Sequence, residues 1–400
     1  MIRRILASTV LAALASSTAL TSAHADAASG WEFDGVPGWS NAASGDSFTF
    51  RGRIYLDAAN VDFERAGTTT SYNASEIRTA RLGVTGQYSG VGYVAEFDLI
   101  NEAVIAKDAY LTFHADGFDI LAGNMKTPNS LEEQTSSRYI TFMERGTGIE
   151  LFGLGRRVGV AIAHHGENYT VKAGLYGGAP GDLSESFELD DSSAIAARVT
   201  YTPVHTDALL VHLGASVREF DYGDAGTRVR ARPRTHLTDR IVTADFRPGS
   251  ALGEAGSSTF VGLEAATVSG SFHAHAEYMT MELDGPAGNP RIDSAFVNLG
   301  YFITGETRSY STSSGTFSRT RPARPVSEGG TGAVEIAARY DYSDLNDVAT
   351  GELTTWTVGL NWYVEDHFRV MANYVTGELA VAGGANTDVS GPQVRVQWDF

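Results

Sequence analysis

Arginines recur on one parity of several short alternating segments. Arg51 and Arg53 lie two apart, Arg81 follows on the next segment, and Arg228, Arg230 and Arg232 alternate with Val and Ala. In an extended strand such residues share a face. A guanidinium stays charged and offers a planar fork of donors that matches phosphate oxygens. A row of them replaces the hydration shell of a small oxyanion with fixed donors. Arg157, Lys172, Arg198 and Arg218 extend the set on later segments. Lys126, Arg138 and Arg145 sit in or beside a long interruption of the pattern at 127–154. Acids are interleaved with them (Glu96, Asp98, Glu132, Glu133, Glu144 and Glu150). Any single arginine therefore also reads as a rung paired with a carboxylate across a polar wall.

The elements that carry these residues are strands. Phe48, Phe50, Gly52, Ile54 and Leu56 alternate with Thr49, Arg51, Arg53, Tyr55 and Asp57, and the same two-residue period recurs to the end of the chain. Leu209, Val211, Leu213 and Val217 oppose His212, Ser216 and Arg218, and Trp356, Val358, Leu360 and Trp362 oppose threonines, Gly359 and Asn361. Sixteen or seventeen segments of about ten residues fit a tilted membrane strand better than the shorter strands of a soluble sandwich. The reading is an all-β, transmembrane antiparallel barrel of sixteen strands. Tyr55, Tyr88, Trp356, Trp362 and Trp398 near segment ends suit interfacial girdles. Ser89-Gly90-Val91 and Val364–His367 read as short turns. Asp62–Ala74, Gly178–Asp191, Asp221–Thr227, Leu283–Pro290, Thr307–Thr331 and Ala380–Ser390 read as long outer loops.

Both ends fit an exported barrel. Arg3 and Arg4 precede an apolar run to Leu20 and an Ala23-His24-Ala25 site, which predicts a secretory leader over 1–25. A short tail at 26–45 and one barrel domain at 46–400 follow. Val394, Val396, Trp398 and Phe400 share one face of the last strand and Gln393, Arg395, Gln397 and Asp399 the other. Trp398 and the terminal Phe400 look like the assembly signal of an outer-membrane barrel. The chain has no cysteine, which excludes thiolate metal sites, disulfides and cysteine nucleophiles. No phosphate-binding helix loop or serine elbow occurs, so no cofactor and no nucleic acid are expected. His273, His275 and Glu277 have metal-like spacing, but wetted lumen residues are the plainer reading.

Specific blocks point to a family. Lys107–Leu111, Gly123-Asn124-Met125-Lys126, Leu131-Glu132 and Glu144-Arg145 resemble the phosphate-selective porins, as do Gly300–Arg308, Gly315–Arg319, Glu335–Tyr340 and Gly359–Tyr363. The resemblance implies a trimeric sixteen-stranded barrel with a loop after about the fifth strand folded into the pore, and 127–154 is the natural candidate. It also implies outer-membrane lipid, the barrel-assembly machinery and permeant phosphate or small anions as partners.

Charge complicates the selectivity. The formal net charge is −18, and becomes −20 without the leader, which holds two basic and no acidic side chains. Selectivity depends on charges at the constriction rather than on this total. A passive, anion-preferring channel is the leading reading, with a weakly selective general porin beside it. An outer-membrane hydrolase would need a Ser-His pair, and no spacing singles one out. A plugged structural barrel would not place Gly83, Gly159, Gly174 and Gly214 on the lumen face.

Overall fold

The computed structural model describes residues 29–33, 36–100, 103–179, 191–285, 288–348 and 351–400. The expected leader at 1–25 lies outside them. Sixteen strands form the wall: β1 (Ser47–Arg65), β2 (Thr68–Tyr88), β3 (Val91–Asp98), β4 (Ile105–Ala115), β5 (Phe118–Lys126), β6 (Arg156–His165), β7 (Tyr169–Tyr176), β8 (Ser193–His205), β9 (Leu210–Asp221), β10 (Ser257–Ser269), β11 (Phe272–Asp284), β12 (Arg291–Phe302), β13 (Ala333–Leu345), β14 (Gly351–Glu365), β15 (Phe368–Ala380) and β16 (Thr387–Asp399). Each pairs antiparallel with the next, and β16 returns to β1 with Asp399 opposite Arg53. Closure leaves the wall no open edge in lipid.

Burial is inverted relative to a soluble protein. Ile54, Leu56, Val160, Leu175 and Ile195 are exposed on the outside, while Arg53, Glu96, Arg339 and Arg395 are buried inside. This is the pattern of a wall with lipid on one face and a polar lumen on the other. Tyr88, Trp356, Trp362 and Trp398 lie on the outer face. Tyr55 does not belong with them. It is 2 % exposed, and its hydroxyl lies 3.4 Å from Ser137 Oγ inside the barrel.

The connections differ from the sequence reading at four places. Ala380–Ser390 is strand from Thr387 on, and the connection read as Asp221–Thr227 runs to 256. Asp62–Ala74 is strand apart from Ala66-Gly67, a two-residue turn with positive φ at both positions, which matches the twist of a hairpin. The fourth difference concerns 303–332, which follows an even-numbered strand. It therefore lies at the end that holds the short turns and the C-terminus, opposite the other long connections. Gly/Ser/Pro content marks a loop but not its end, which only the strand count fixes.

Three connections turn inward. Segment 127–155 follows β5 and carries α1 (Leu131–Gln134), capped by Ser130, and α2 (Thr147–Leu151). Its backbone crosses to the far wall, where Asn361 donates to Thr141 O at 2.8 Å, Arg369 to Ile140 O at 3.0 Å and Gln397 to Arg138 O at 3.0 Å. Segment 303–332 rises from the opposite end. Arg198 donates to Gly315 O at 2.8 Å, and Phe317 packs against Leu131 of α1. The third, 222–256, contains a hairpin of Thr227–Ala231 and Val242–Phe246 that packs Val229, Ala231 and Val242 onto α2. Together these fill the barrel beside β9 to β16 and leave cavities against β1 to β8.

Candidate functional site

Three cavities that share lining residues run along the open side. At the loop end, a space of about 310 Å³ is bounded by Arg78, Glu144, Arg145, Glu150, Arg232, Arg234 and His236. Arg78, Glu144 and Arg145 also bound the central cavity, of about 300 Å³. Gln134 and Lys172 then lead to a third space of about 220 Å³, which reaches Asp119, His164, His165 and Arg198 near the short-turn end. The three spaces lie in series, and the residues they share mark two necks.

The central cavity is strongly basic. Arg51, Arg53, Arg78, Arg81, Lys126, Arg145, Arg156, Lys172 and Arg395 line it, against two carboxylates, Asp108 and Glu144. The wall geometry explains the crowding. Arg51 and Arg53 are alternate residues of β1, and Arg81 faces Arg53 across the β1–β2 ladder. A bulge sets Leu56 opposite Ile77 rather than Arg78, so Ile77 turns out to lipid and Arg78 turns in.

Acids in the wall hold this cluster but do not neutralise it. Glu96, fully buried, meets Arg51 at 2.9 Å, Arg53 at 2.8 Å, Arg81 at 3.4 Å and Arg138 at 3.7 Å. One carboxylate therefore faces four guanidiniums. Asp98 takes Arg81 at 2.9 Å and Asp108 takes Arg156 at 2.9 Å. Among the described residues, no carboxylate lies within 4 Å of Lys172. The positive field also reaches Arg138, where burial and the neighbouring Arg53 and Arg51 pull the guanidinium down to about 10.

The upper neck is a clasp between the inward segment and the wall. Glu144 accepts two bonds from Arg78, at 3.0 and 3.1 Å, and one from Arg395 at 3.1 Å. Arg395 in turn holds Asp57 with two bonds of 2.7 Å and donates to Met143 O at 2.7 Å. Burial alone would raise the Glu144 carboxyl, but Arg78 and Arg395 outweigh it and hold it well below the usual range. Further round, Glu132 of α1 meets Arg339 at 2.6 Å with both side chains 1 % exposed. Its backbone N–H donates to Glu277 Oε1 at 2.7 Å. That glutamate is also bonded to His275 at 2.8 Å, so the His275–Glu277 pair anchors α1.

The residues singled out from sequence fall into groups. Arg51, Arg53, Arg81, Lys126, Arg145 and Lys172 meet at the central cavity, with Arg232 at its loop-end neighbour and Arg198 at the short-turn end. Arg138 instead turns to the closing seam, donating to Gly52 O at 3.2 Å and Phe400 O at 3.3 Å. Arg157, Arg218 and Arg228 line a separate side cavity. Arg230 lies on the outer face of the hairpin over α2 and borders none of these spaces. Arg78, Arg156 and Arg395 complete the central cluster without having been among the sequence candidates. Strand parity already set Arg395 on the polar face of the last strand, whereas no such signal marked Arg78 or Arg156.

The lumen glycines have a different use from the one expected. A Cβ at Gly159 would lie 2.8 Å from the Tyr176 ring, one at Gly174 2.7 Å from its hydroxyl, and one at Gly214 would meet Glu264. These positions make room for large neighbours rather than for solvent.

Comparison with known proteins agrees with this architecture. The barrel resembles the anion-selective porin of Comamonas acidovorans (TM-score 0.55, 13 % identity, 89 % of this chain and all of that one). It also resembles OmpT of Vibrio cholerae (TM-score 0.52, 14 % identity, 89 % and 98 %). In sequence, the chain is 25 % identical over 400 residues to porin O of Pseudomonas aeruginosa, covering 88 % of each. An uncharacterized protein of Caulobacter vibrioides is 34 % identical over 353 residues, 83 % of this chain and 69 % of that one. The model of the phosphate-selective porin O and P family matches residues 48–400. With a closed sixteen-stranded wall, a polar lumen and that match, this outer-membrane channel protein belongs to the phosphate-selective porin O and P family.

Proposed function

We propose that the channel is a passive conduit for small anions with a preference for phosphate, working as a homotrimer. The observation that carries this reading is the imbalance at the central cavity, where nine cationic side chains meet six carboxylates, Asp108 and Glu144 in the lining and Asp57, Glu96, Asp98 and Glu133 behind it. An oxyanion entering past Arg232 and Arg145 would exchange water for guanidinium and ammonium donors, then pass Lys172 towards Arg198. Selective conduction needs sites strong enough to enter and weak enough to leave. Glu96, Asp108 and Glu144 meet the second condition by tying several guanidiniums into the wall. A V. cholerae OmpT structure described as a trimer form supports the oligomer by likeness of fold. Insertion into outer-membrane lipid by the barrel-assembly machinery, with Trp398 and Phe400 as its signal, belongs to the same reading.

A second reading, a weakly selective porin for small hydrophilic solutes, draws on Glu133, Glu144 and Glu150 around the first cavity. Single-channel chloride current in planar bilayers separates the two. Saturable block by added phosphate, weakened in Lys172→Gln, supports the phosphate path. Current that is indifferent to phosphate leaves the general porin.

A further inference from the structure

The side cavity holding Arg157, Arg218 and Arg228 takes no part in the series described above. It lies on the other side of α2, encloses about 260 Å³, and has an apolar wall that includes Phe152, Phe220 and Met281. Arg218 is its distinctive group. The side chain is 3 % exposed, and among the described residues no carboxylate lies within 4 Å of it. Its hydrogen bonds go only to backbone oxygens, Phe152 O at 2.7 Å and Gly153 O at 3.4 Å, and its buried Nε has no partner. The guanidinium carbon sits 5.2 Å from the centre of the Phe220 ring, which Arg157 covers at 4.1 Å. A buried cation held only by carbonyls and by the ring faces of Phe220 and, at 5.6 Å, Phe260 has no counter-charge among the described residues.

We infer that this cavity is a second anion site that takes a small organic anion with a planar apolar body, an aromatic carboxylate. A bare inorganic oxyanion is hydrated on every side and gains nothing from Phe152 and Met281. An aromatic carboxylate sets its charged end against Arg218 and its ring against those side chains. The volume falls below the roughly 300–1,000 Å³ of pockets for larger ligands, which limits the body to about one ring. Ala225, an exposed residue of its lining, places the entrance at the loop end.

Benzoate titrated calorimetrically into the detergent-purified protein tests the assignment. Saturable binding is expected, weakened at least tenfold in Arg218→Gln. Ala225→Trp, a substitution at an exposed position that fills the entrance without touching the buried charge, should weaken it similarly. Phosphate block of the chloride current should stay unchanged in both variants, which separates this site from the central one. Absence of saturable benzoate binding in the unaltered protein overturns the proposal. Equal affinity in the protein and in Ala225→Trp does the same.

Discussion

Replacing Glu144 by Gln removes one negative charge from the upper neck while keeping the side chain's size. Arg78 then loses its bidentate carboxylate partner, whereas Arg395 keeps both bonds to Asp57. The neck gains one uncompensated positive charge. A unit charge about 4 Å from an anion is worth roughly 1 kcal/mol at the dielectric of water and roughly 4 kcal/mol at an effective constant of about 20. A partly wetted neck lies between, so about 2 kcal/mol is the working figure, a tenfold or greater tightening of phosphate block. The cost is the lost charge-assisted bonding, about 1.5–3 kcal/mol of stability. Block of single-channel chloride current gives the first quantity and thermal unfolding of the purified barrel gives the second. Unchanged or weaker block in a variant that still folds would refute the claim that uncompensated charge at this neck governs anion affinity.

Other outcomes follow from the same contacts. Glu132→Ala leaves Arg339 buried without its carboxylate, which costs about 3–5 kcal/mol, while α1 keeps its backbone bond to Glu277. Thermal unfolding of the purified barrel should shift down with conductance unchanged, and an unshifted transition would mean that Arg339 does not depend on this carboxylate. Lys172→Gln, which breaks no ion pair among the described residues, should weaken phosphate block about tenfold while the unfolding temperature stays within a degree or two. Gly52→Val places a Cβ 2.5 Å from Phe400 Cζ and should lower the yield of folded barrel in outer-membrane fractions. For pH, the folded Glu144 carboxyl is depressed, so its stabilising contribution is complete above the ordinary carboxylate value near 4.5 and is lost as pH falls towards the folded value. The stability gap between the unaltered protein and Glu144→Gln should hold steady from pH 7 to 5 and shrink below 4.5.

Alternation made the wall legible because lipid on one face and a polar lumen on the other enforce a strict period of two. The same rule set Arg51, Arg53, Arg81 and Lys172 inside. It failed where the period slips. The bulge at Ile77 and Arg78 adds a residue, so Arg78 changes face with nothing in composition to announce it. Arg156 and Arg157 are adjacent at the start of β6. Parity favours Arg157, yet Arg156 reaches Asp108 at the central cavity because the pleat is only beginning there. Arg138 shows a different limit. Its place in the inward segment suggested the passage, but Gly52 O and Phe400 O are brought to it by barrel closure, a contact spanning 262 residues. The inward turn of 303–332 was equally hidden, since its direction depends on counting every strand before it.

In the proposed channel, fixed cations in the lumen, rather than the net charge of −18, set selectivity. The zero-current potential of the purified channel across a tenfold KCl gradient tests this most directly. A potential of the sign set by chloride flux is the predicted result, and one of the sign set by potassium flux would contradict the account.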